Sequence, residues 1–421
     1  MRSDVVREWP PRGLSWQDAV RAWNQVESAM DGSGPPLCAE PHLLPDCEVA
    51  EGTVLLVGTS GSTGRSKFAQ LTATALRASI DGVHAHLGGP GQWLLSVPPA
   101  HITGFQVLLR SHTAGYEPVC LPPGPFTPAA FTRAADLLDD ASARTYTTLV
   151  PTQLVRILDD PAALDAARRF DRLLIGGAPL SAAVQARARA AGLGLTLGYG
   201  TSETSGGCVY DGIPLPCAQL RLDDGRVEIG GPMIATGYAG RPELDDAFRS
   251  TAGRRWFRTD DLGELRDGRL VLLGRADDVV NTGGMKVVPR VVEEAIATRF
   301  PEIADVAVQG LPDLEWGEIV GALLVARPGA TAPGLEALRA GLDLPGYALP
   351  RFVAVADTIP LTGPGKPDRE AVRGLLTTRR AAEPTPVPAR RTPAVRAVPR
   401  RPGFDPAGGD RSRAGGPRGC A

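Results

Sequence analysis

The 421-residue sequence has no uninterrupted run of uncharged apolar residues long enough to cross a membrane, although 43% of its residues are hydrophobic. Such a crossing takes roughly 20 residues, so we expect no stable insertion into a membrane. The first residues, MRSDVVREWPPRG, carry charges and prolines where a secretory signal peptide has an apolar stretch. These absences predict a globular protein with a cytoplasmic location.

Cysteine is scarce and scattered along the chain. Its six positions include no C-x-x-C pair, so the spacing indicates neither a zinc site nor a disulfide framework. We interpret the cysteines as small structural residues. They are Cys38, Cys47, Cys120, Cys208, Cys217 and Cys420.

No strong charge of one sign marks the whole chain, whose formal net charge is −2. Ten arginines against three carboxylates, however, fall within 379–421, a stretch rich in Pro and Gly. The remainder is therefore acidic, which argues against nucleic acid as a partner of the folded part. Because it has almost nothing to bury, the segment 376–421 is predicted to be a disordered tail.

The length exceeds what one hydrophobic core usually covers, so we expect more than one domain. From Thr53 to Gly200, short apolar runs alternate with amphipathic stretches, which is typical of a largely parallel sheet with helices on both faces. After Gly206, Asp-Gly turns between short strands predict antiparallel hairpins. We therefore predict an α/β fold: a large N-terminal domain over 1–276 with a mainly parallel sheet plus an antiparallel β region, and a small α+β domain over 277–375.

The segment GTSGSTGRSK, Gly58 to Lys67, follows the apolar run VLLV and is suited to wrapping a polyphosphate. Its glycines allow successive backbone N–H groups to turn toward one anion, and its hydroxyls and Lys67 add donors and positive charge. It is not the P-loop of kinases and ATPases, because Lys67 lies three residues beyond Gly64 and is followed by Phe68. Taken alone, it could also be a flexible Gly/Ser turn.

Five further segments carry residues suited to nucleotide chemistry. Glu203 in GYGTSET is a hard oxygen ligand of the kind that Mg²⁺ prefers. The others are Asp261 in FRTDDLGEL, Arg275 in GRADD, the Gly283-Gly284 bend in NTGGMKVVP and Lys366 in PLTGPGKPDR. Each has an ordinary alternative when read alone: a hairpin carboxylate, a surface cation or a solvated loop lysine.

In this order and spacing, the motifs resemble those of the acyl-adenylate-forming (AMP-binding) enzymes, which include acyl- and aryl-CoA ligases, luciferases and the adenylation domains of peptide synthetases. The resemblance covers residues 51 to 372. The compact N-terminus and the segments VPPAHITGFQVLLRS and LIGGAPLS are most similar to the o-succinylbenzoate–CoA ligases of menaquinone biosynthesis. The resemblance implies that the enzyme uses ATP to convert a carboxylic acid into an acyl-AMP, with Mg²⁺ bound, and that coenzyme A then accepts the acyl group.

The resemblance also implies a role for each motif residue. The ATP phosphate loop would be formed by Thr59, Ser60, Gly61, Ser62, Thr63, Gly64 and Lys67. Around the nucleoside, Gly176, Gly177 and Ala178 would border the adenine, Tyr199 beside Gly200 would stack on it, and Asp261 with Arg275 would hold the ribose. At the phosphates, Ser202 would contact the α-phosphate and Glu203 would bind Mg²⁺. On the small domain, Asp277 would be the hinge, Gly283 and Gly284 the wall of the pantetheine tunnel, and Lys366 the adenylation lysine.

Four positions deserve separate mention. His101 falls at the aromatic-or-His gate of the family, although a lone His is more often a packed or surface residue. Ser66 stands where the loop usually has Pro, Phe68 where Gly is frequent, and Ser202 where Thr is usual. Because Ser202 keeps the hydroxyl, its role as a phosphate contact is retained.

The expected partner is a small-molecule carboxylic acid, with neither nucleic acid nor a membrane; a monomer and a homodimer both stay open. The acid we expect is o-succinylbenzoate, an aromatic acid with a second carboxylate. Alternatives are another carboxylic acid, a carrier protein instead of free CoA, and a non-catalytic nucleotide-binding scaffold. An amino acid substrate is disfavoured, because the PPAHITG stretch offers His101 and no carboxylate for an α-amino group.

Overall fold

The computed structural model describes residues 5–10, 15–21, 23–59, 67–122, 124–138, 143–361 and 367–382. Met1–Arg380 forms one compact unit, and Ala381–Ala421 forms a second, of which Ala381 and Ala382 are described. The predicted loop residues from Ser60 to Ser66, Lys366 and the segment 383–421 lie outside the described residues. Within the described part, no helix is long and apolar enough to span a membrane.

The N-terminal part contains two short helices and a four-stranded sheet. The helices are α1 (Trp16–Arg21) and α2 (Trp23–Asp31), and the strands, in their order across the sheet, are β1 (Arg7–Glu8), β2 (Leu37–Cys38), β3 (Thr53–Thr59) and β4 (Lys67–Thr72). The run VLLV was predicted as part of the parallel alternation. Instead β3 belongs to this separate sheet, where it pairs parallel with β2 and antiparallel with β4, so that Thr59 faces Lys67. The reason is the buried face of β4, where Phe68 packs against Leu56 and Ala239.

A seven-stranded sheet forms the centre of the large domain. Its strands are β5 (Gln92–Leu95), β6 (Val119–Cys120), β7 (Thr145–Leu149), β8 (Arg172–Ile175), β9 (Leu195–Thr201), β10 (Gly206–Tyr210) and β11 (Ile213–Pro214), in the order β11-β10-β9-β8-β7-β5-β6. The five adjacent strands β9, β8, β7, β5 and β6 are parallel, and β10 is antiparallel to β9. The prediction of a largely parallel sheet is confirmed for β5 to β9.

Helices cover both faces of this sheet, as the sequence predicted. They are α3 (Ala73–Leu87), α4 (Ile102–Thr113), α5 (Pro128–Ala135), α6 (Pro151–Leu158), α7 (Pro161–Ala167) and α8 (Ala182–Ala190). Trp93 and Tyr146 share a buried core with α3 and α4. Leu94 and Leu173, whose side chains alternate to the opposite face, pack with α5 to α8.

The antiparallel region follows. It consists of β12 (Gln219–Asp223), β13 (Arg226–Gly230), β14 (Phe248–Thr251), β15 (Arg254–Arg266) and β16 (Arg269–Arg275). The two Asp-Gly turns, Asp224-Gly225 and Asp267-Gly268, have positive φ at both residues, between 49° and 75°. This geometry matches the right-handed twist of the strands that each turn joins, so the predicted hairpins are confirmed.

The small C-terminal domain contains both helices and strands, as predicted. Its elements are β17 (Val280–Thr282), β18 (Met285–Val287), α9 (Pro289–Arg299), β19 (Ile303–Asp313), β20 (Gly317–Ala326), α10 (Leu335–Gly341), β21 (Phe352–Val355) and α11 (Arg369–Ala382). The predicted tail boundary at 376 is too early, because α11 continues through Ala382. Leu376 on this helix is buried against Leu311 and Leu323, and Arg380 pairs with Asp313 at 2.7 Å.

Candidate active site

Three of the predicted motif loops follow parallel strands of the seven-stranded sheet. His101 follows β5, Gly176–Ala178 follow β8, and Ser202 and Glu203 follow β9. The carboxyl ends of parallel strands meet at one edge of the sheet, where α/β proteins bind their ligands. The hairpin of β3 and β4, which flanks the phosphate loop, packs against the turn Ser202–Thr204. The fold therefore gathers these segments at one edge.

Glu203 lies in a short 3₁₀ turn, Ser202–Thr204, that directly follows β9. Its side chain is buried, with 6% of the residue surface exposed. The Tyr238 hydroxyl donates a hydrogen bond to Glu203 Oε1 at 2.6 Å, but no Lys or Arg of the described chain pairs with this carboxylate. A buried carboxylate without a cationic partner is costly, so the site is suited to a bound cation.

Tyr238 was absent from the sequence predictions and connects two residues that were present in them. Its ring lies 5.6 Å from Lys67 Nζ, at cation–π distance, while its hydroxyl contacts Glu203. Burial raises the pKa of Tyr238 far above its ordinary value, and the Glu203 charge adds to this effect. Tyr238 is therefore a neutral donor that stands between the phosphate-loop lysine and the predicted metal ligand.

Tyr199, Asp261, Arg275 and Asp277 form a second connected group. The Tyr199 hydroxyl donates to Asp261 Oδ2 at 2.8 Å, and Asp261 lies directly opposite Arg275 in the β15–β16 hairpin. Arg275 Nη1 is 3.8 Å from Asp261 Oδ1, and its Nε and Nη2 donate to the two carboxylate oxygens of Asp277 at 2.8 and 2.7 Å. Arg275 thus contacts both Asp261, the predicted ribose carboxylate, and Asp277, the predicted hinge.

Burial dominates the electrostatics of this group. It raises the pKa of Asp261 above its ordinary value, although the Tyr199 hydrogen bond and the Arg275 charge act in the opposite direction. Burial, followed by the Asp261 charge, raises the pKa of Tyr199 well above its usual range. Tyr199 therefore stays a neutral donor at physiological pH.

The backbone around β9 has little free space. A Cβ atom on Gly200 would overlap the carbonyl group of Gly206 on the neighbouring strand, so glycine is required there. The adjacent Thr201 Oγ1 is buried and has no hydrogen-bond partner in the described chain. His101 is exposed immediately before α4, and its side chain makes no capping bond to the helix.

The Gly283-Gly284 bend is the tight turn between β17 and β18. Both residues have positive φ, 57° and 79°, as a two-residue hairpin turn requires. The Gly283 N–H donates to the Trp316 carbonyl at 2.8 Å, and a Cβ on Gly283 would lie 2.6 Å from the Trp316 ring. The turn is thereby fixed against Trp316, over whose ring the Arg351 guanidinium stacks at 4.0 Å.

Arg110 on α4 is a second residue that the sequence predictions missed. It is 2% exposed, lies 5.3 Å over the Trp93 ring, and interacts with Tyr210 but with no described carboxylate. Its Nε has no hydrogen-bond partner in the described chain. The Tyr210 ring packs on Gly198, one residue before Tyr199. Among the described residues, this cation therefore has no carboxylate partner, and it lies beside Tyr210, which pairs with the strand that carries Tyr199.

No cluster of three or more His, Cys, Asp or Glu side chains suited to a metal occurs among the residues that the structure describes. A magnesium ion that accompanies a nucleotide usually binds the protein through one or two carboxylates and otherwise binds phosphate oxygens and water. Glu203 has the required chemistry, because it is a buried carboxylate with a single neutral donor.

Comparison with known proteins gives consistent matches. The AMP-binding enzyme model matches residues 12–239, and the model of the AMP-binding enzyme C-terminal domain matches residues 292–366. A probable 2-succinylbenzoate–CoA ligase of Mycobacterium tuberculosis (strain CDC 1551 / Oshkosh) is 44% identical over 362 residues, which cover 82% of this chain and 93% of that relative.

Solved structures agree on the fold. ATP-bound MatB from Rhodopseudomonas palustris is 26% identical with a TM-score of 0.68, and the match covers 79% of this chain and 70% of that one. The o-succinylbenzoate CoA synthetase (MenE) of Bacillus subtilis in complex with the intermediate OSB-AMP is 24% identical with a TM-score of 0.65, over 78% of this chain and 70% of that one. At that identity, the second likeness shows the fold alone.

Proposed function

The chain belongs to the AMP-binding enzyme family and is an AMP-forming acid–CoA ligase, and we propose that it activates o-succinylbenzoate for menaquinone biosynthesis. The observation that carries this proposal is the 44% identity to the M. tuberculosis ligase, which extends over 93% of that relative. The substrate and the roles of individual residues are parts of the proposal.

In the first half-reaction, the acid carboxylate attacks the α-phosphorus of ATP and pyrophosphate leaves. Two anions must meet, so positioning and charge stabilisation dominate. We assign Lys67 and the hydroxyls of the phosphate loop to the phosphates, Ser202 to the α-phosphate and Lys366 to the charge that develops there. Mg²⁺ held at Glu203 would offset the phosphate charge.

The nucleoside would be held by the second group of residues. Gly176–Ala178 and the Tyr199 ring would enclose the adenine, and Asp261 would accept hydrogen bonds from the ribose hydroxyls. The contact between Asp261 and Arg275 supports this assignment, because the guanidinium favours the charged carboxylate that the ribose needs.

In the second half-reaction, the CoA thiol attacks the acyl carbonyl and AMP leaves. Lys366 would serve the first step and the Gly283-Gly284 turn the second, although both belong to the small domain. We propose that this domain rotates about Asp277 to exchange them, as in other domain-closure motions. The pairing of Asp277 with Arg275 supports a hinge at this position, since it joins the hinge to the last strand of the large domain.

The substrate assignment has a separate physical argument. The second carboxylate of o-succinylbenzoate needs a cation if it is to be buried. Arg110 is a buried cation that lacks a carboxylate partner in the described chain, and it adjoins Tyr210 and hence β9. We therefore propose that Arg110 receives this carboxylate. His101, exposed at the start of α4, would lie at the gate of the acid pocket.

A pyrophosphate-release screen with purified enzyme tests the proposal. At equal concentrations, o-succinylbenzoate should release pyrophosphate faster than benzoate, cinnamate or a medium-chain fatty acid. A faster rate with any of these acids would contradict the menaquinone assignment but leave the ligase activity standing. Replacing CoA with carrier proteins in the same assay separates a CoA ligase from an enzyme that loads a carrier.

Two further parts of the proposal concern the whole protein. One is a cytoplasmic location, and the other is a homodimer. Cell fractionation tests the first and sedimentation of the purified chain the second.

A further inference from the structure

Tyr238 is the side chain that links the metal carboxylate of the proposed function to the phosphate loop. Its hydroxyl donates to Glu203 Oε1 at 2.6 Å, and its ring lies 5.6 Å from Lys67 Nζ. The residue itself is 7% exposed. No other described residue donates to the Glu203 carboxylate.

The backbone holds Tyr238 firmly between the two segments that it connects. On one side, Tyr238 forms a β-bridge with Ala69 of β4, and the neighbouring Ala239 N–H donates to the Phe68 carbonyl at 2.9 Å. On the other side, the Ala235 N–H donates to the Glu203 carbonyl at 2.8 Å. The segment 235–239 therefore ties β4 to the turn that contains Glu203.

We propose, on the basis of the proposed function, that Tyr238 is a positioning residue for the divalent cation. It occupies Glu203 Oε1 with a neutral donor and so directs Oε2 toward the Mg²⁺ that accompanies ATP. Its ring at the same time holds the Lys67 ammonium beside the phosphates.

The chemistry of the phenol explains why tyrosine suits this position. A Lys or Arg at 238 would neutralise Glu203 and compete with the cation for it, whereas a phenol fixes the carboxylate without removing its charge. The aromatic face attracts the Lys67 ammonium by a cation–π interaction. Lys67 and Glu203 thus stay close without forming an ion pair that the substrate would have to break.

The test is Tyr238→Phe in the full chain, because Phe keeps the ring that contacts Lys67 and also packs edge-on against Phe248. Mn²⁺ binding is measured by electron paramagnetic resonance in the presence of ATP and without acid. Because hydrogen bonds to charged groups are stronger than neutral ones, we expect Mn²⁺ affinity to fall about tenfold. ATP affinity without metal and thioester formation from supplied acyl-AMP should not change.

A matched control is Tyr146→Phe, which also removes a buried hydroxyl. The Tyr146 hydroxyl donates to the Gly89 carbonyl at 3.1 Å near the amino end of β7, whereas Glu203 follows the carboxyl end of β9. Unchanged Mn²⁺ affinity in Tyr238→Phe, or an equal loss in both variants, would overturn the proposal. A second check is the double variant with Glu203→Gln: if Tyr238 acts through Glu203, the double variant binds Mn²⁺ no more weakly than Glu203→Gln alone.

The experiment separates this inference from the proposed function. The substrate assignment is tested by acid-dependent pyrophosphate release from the wild-type enzyme, whereas the Mn²⁺ titration needs no acid. A wild-type enzyme that binds Mn²⁺ and ATP together but prefers another acid would contradict the substrate alone. The same enzyme with an insensitive Tyr238→Phe variant would contradict the role of Tyr238 alone.

Discussion

The hydrogen bond from Tyr199 to Asp261, 2.8 Å long, joins the last parallel strand of the central sheet to the antiparallel region. The two residues are 62 positions apart, and their side chains are the ones we assign to the adenine and the ribose. Folding therefore brings the two halves of the proposed nucleoside site together, and the hydrogen bond to Asp261 fixes the Tyr199 hydroxyl.

From this relationship we predict that Asp261→Asn raises the KM for ATP by about tenfold or more, because a carboxylate accepts hydrogen bonds more strongly than an amide. Tyr199→Phe should have a smaller effect, since it keeps the ring. Steady-state pyrophosphate release at varied ATP measures both. The matched control is Asp223→Asn, which alters an exposed carboxylate of the same antiparallel region that pairs with Arg258; an equal rise in KM there would contradict the ribose assignment.

Lys366→Ala should abolish formation of acyl-AMP and spare thioester formation from supplied acyl-AMP. The expected loss is on the order of 10² to 10⁴, comparable with other electrostatic stabilisers. Rapid-quench assays of the two half-reactions measure it, and equal damage to both would remove Lys366 from the assigned role.

Lysine is rare in this chain, which strengthens the choice of this residue. Of 45 basic residues, the lysines are Lys67, Lys286 and Lys366, and all three fall in motif segments. An ammonium is a compact point charge, whereas a guanidinium is a planar fork. We therefore expect Lys366→Arg to restore only a small part of the adenylation rate, although it preserves the charge.

Local patterns carried much of the fold prediction. The alternation of apolar and amphipathic stretches predicted the parallel strands β5 to β9 with their helices, and the Asp-Gly turns predicted the hairpins. Strand β4 was missed because only one of its two neighbours, β3, is near in sequence; on its other side the backbone bonds to the distant segment around Tyr238. Once the pairing of Thr59 with Lys67 is known, the loop between them is seen to connect two antiparallel strands.

The missed site residues have the same explanation. Tyr238 lies 35 positions from Glu203 and has no motif of its own, so only the folded chain shows their contact. Arg110 had a weak signal, because it lies four residues after Gln106 on the buried face of α4. The sequence shows a cation on an apolar helix face, but it does not show whether a carboxylate pairs with that cation in the folded chain.

Arg110→Met tests the proposed second-carboxylate site, because Met keeps a similar volume and removes the charge. For o-succinylbenzoate we expect kcat/KM to fall about 10²-fold or more, as when a buried charge loses its partner. For 3-benzoylpropionate, which lacks the ring carboxylate, it should stay the same or rise. An equal fall for both acids would show that Arg110 supports the fold and does not bind the carboxylate.

Because His84 on α3 is buried, we predict that the folded chain loses stability against unfolding in mild acid. Burial, aided by the Arg110 charge, lowers the pKa of His84 from 6.5 to about 4, and the side chain is 9% exposed. Between these pH values the unfolded chain binds a proton at His84 that the folded chain does not. Stability from this group is therefore complete above pH 6.5 and is lost as the pH falls toward 4.

Between pH 7 and pH 5 this group alone should cost up to about 2 kcal/mol of unfolding free energy. The measurement is the thermal midpoint of wild type and of His84→Gln at both pH values. The variant lacks the titrating group, so its midpoint should fall less over this range, whatever its stability at pH 7. If His84→Gln shows the same fall as the wild type, the acid sensitivity arises elsewhere and His84 is not the buried neutral group described above.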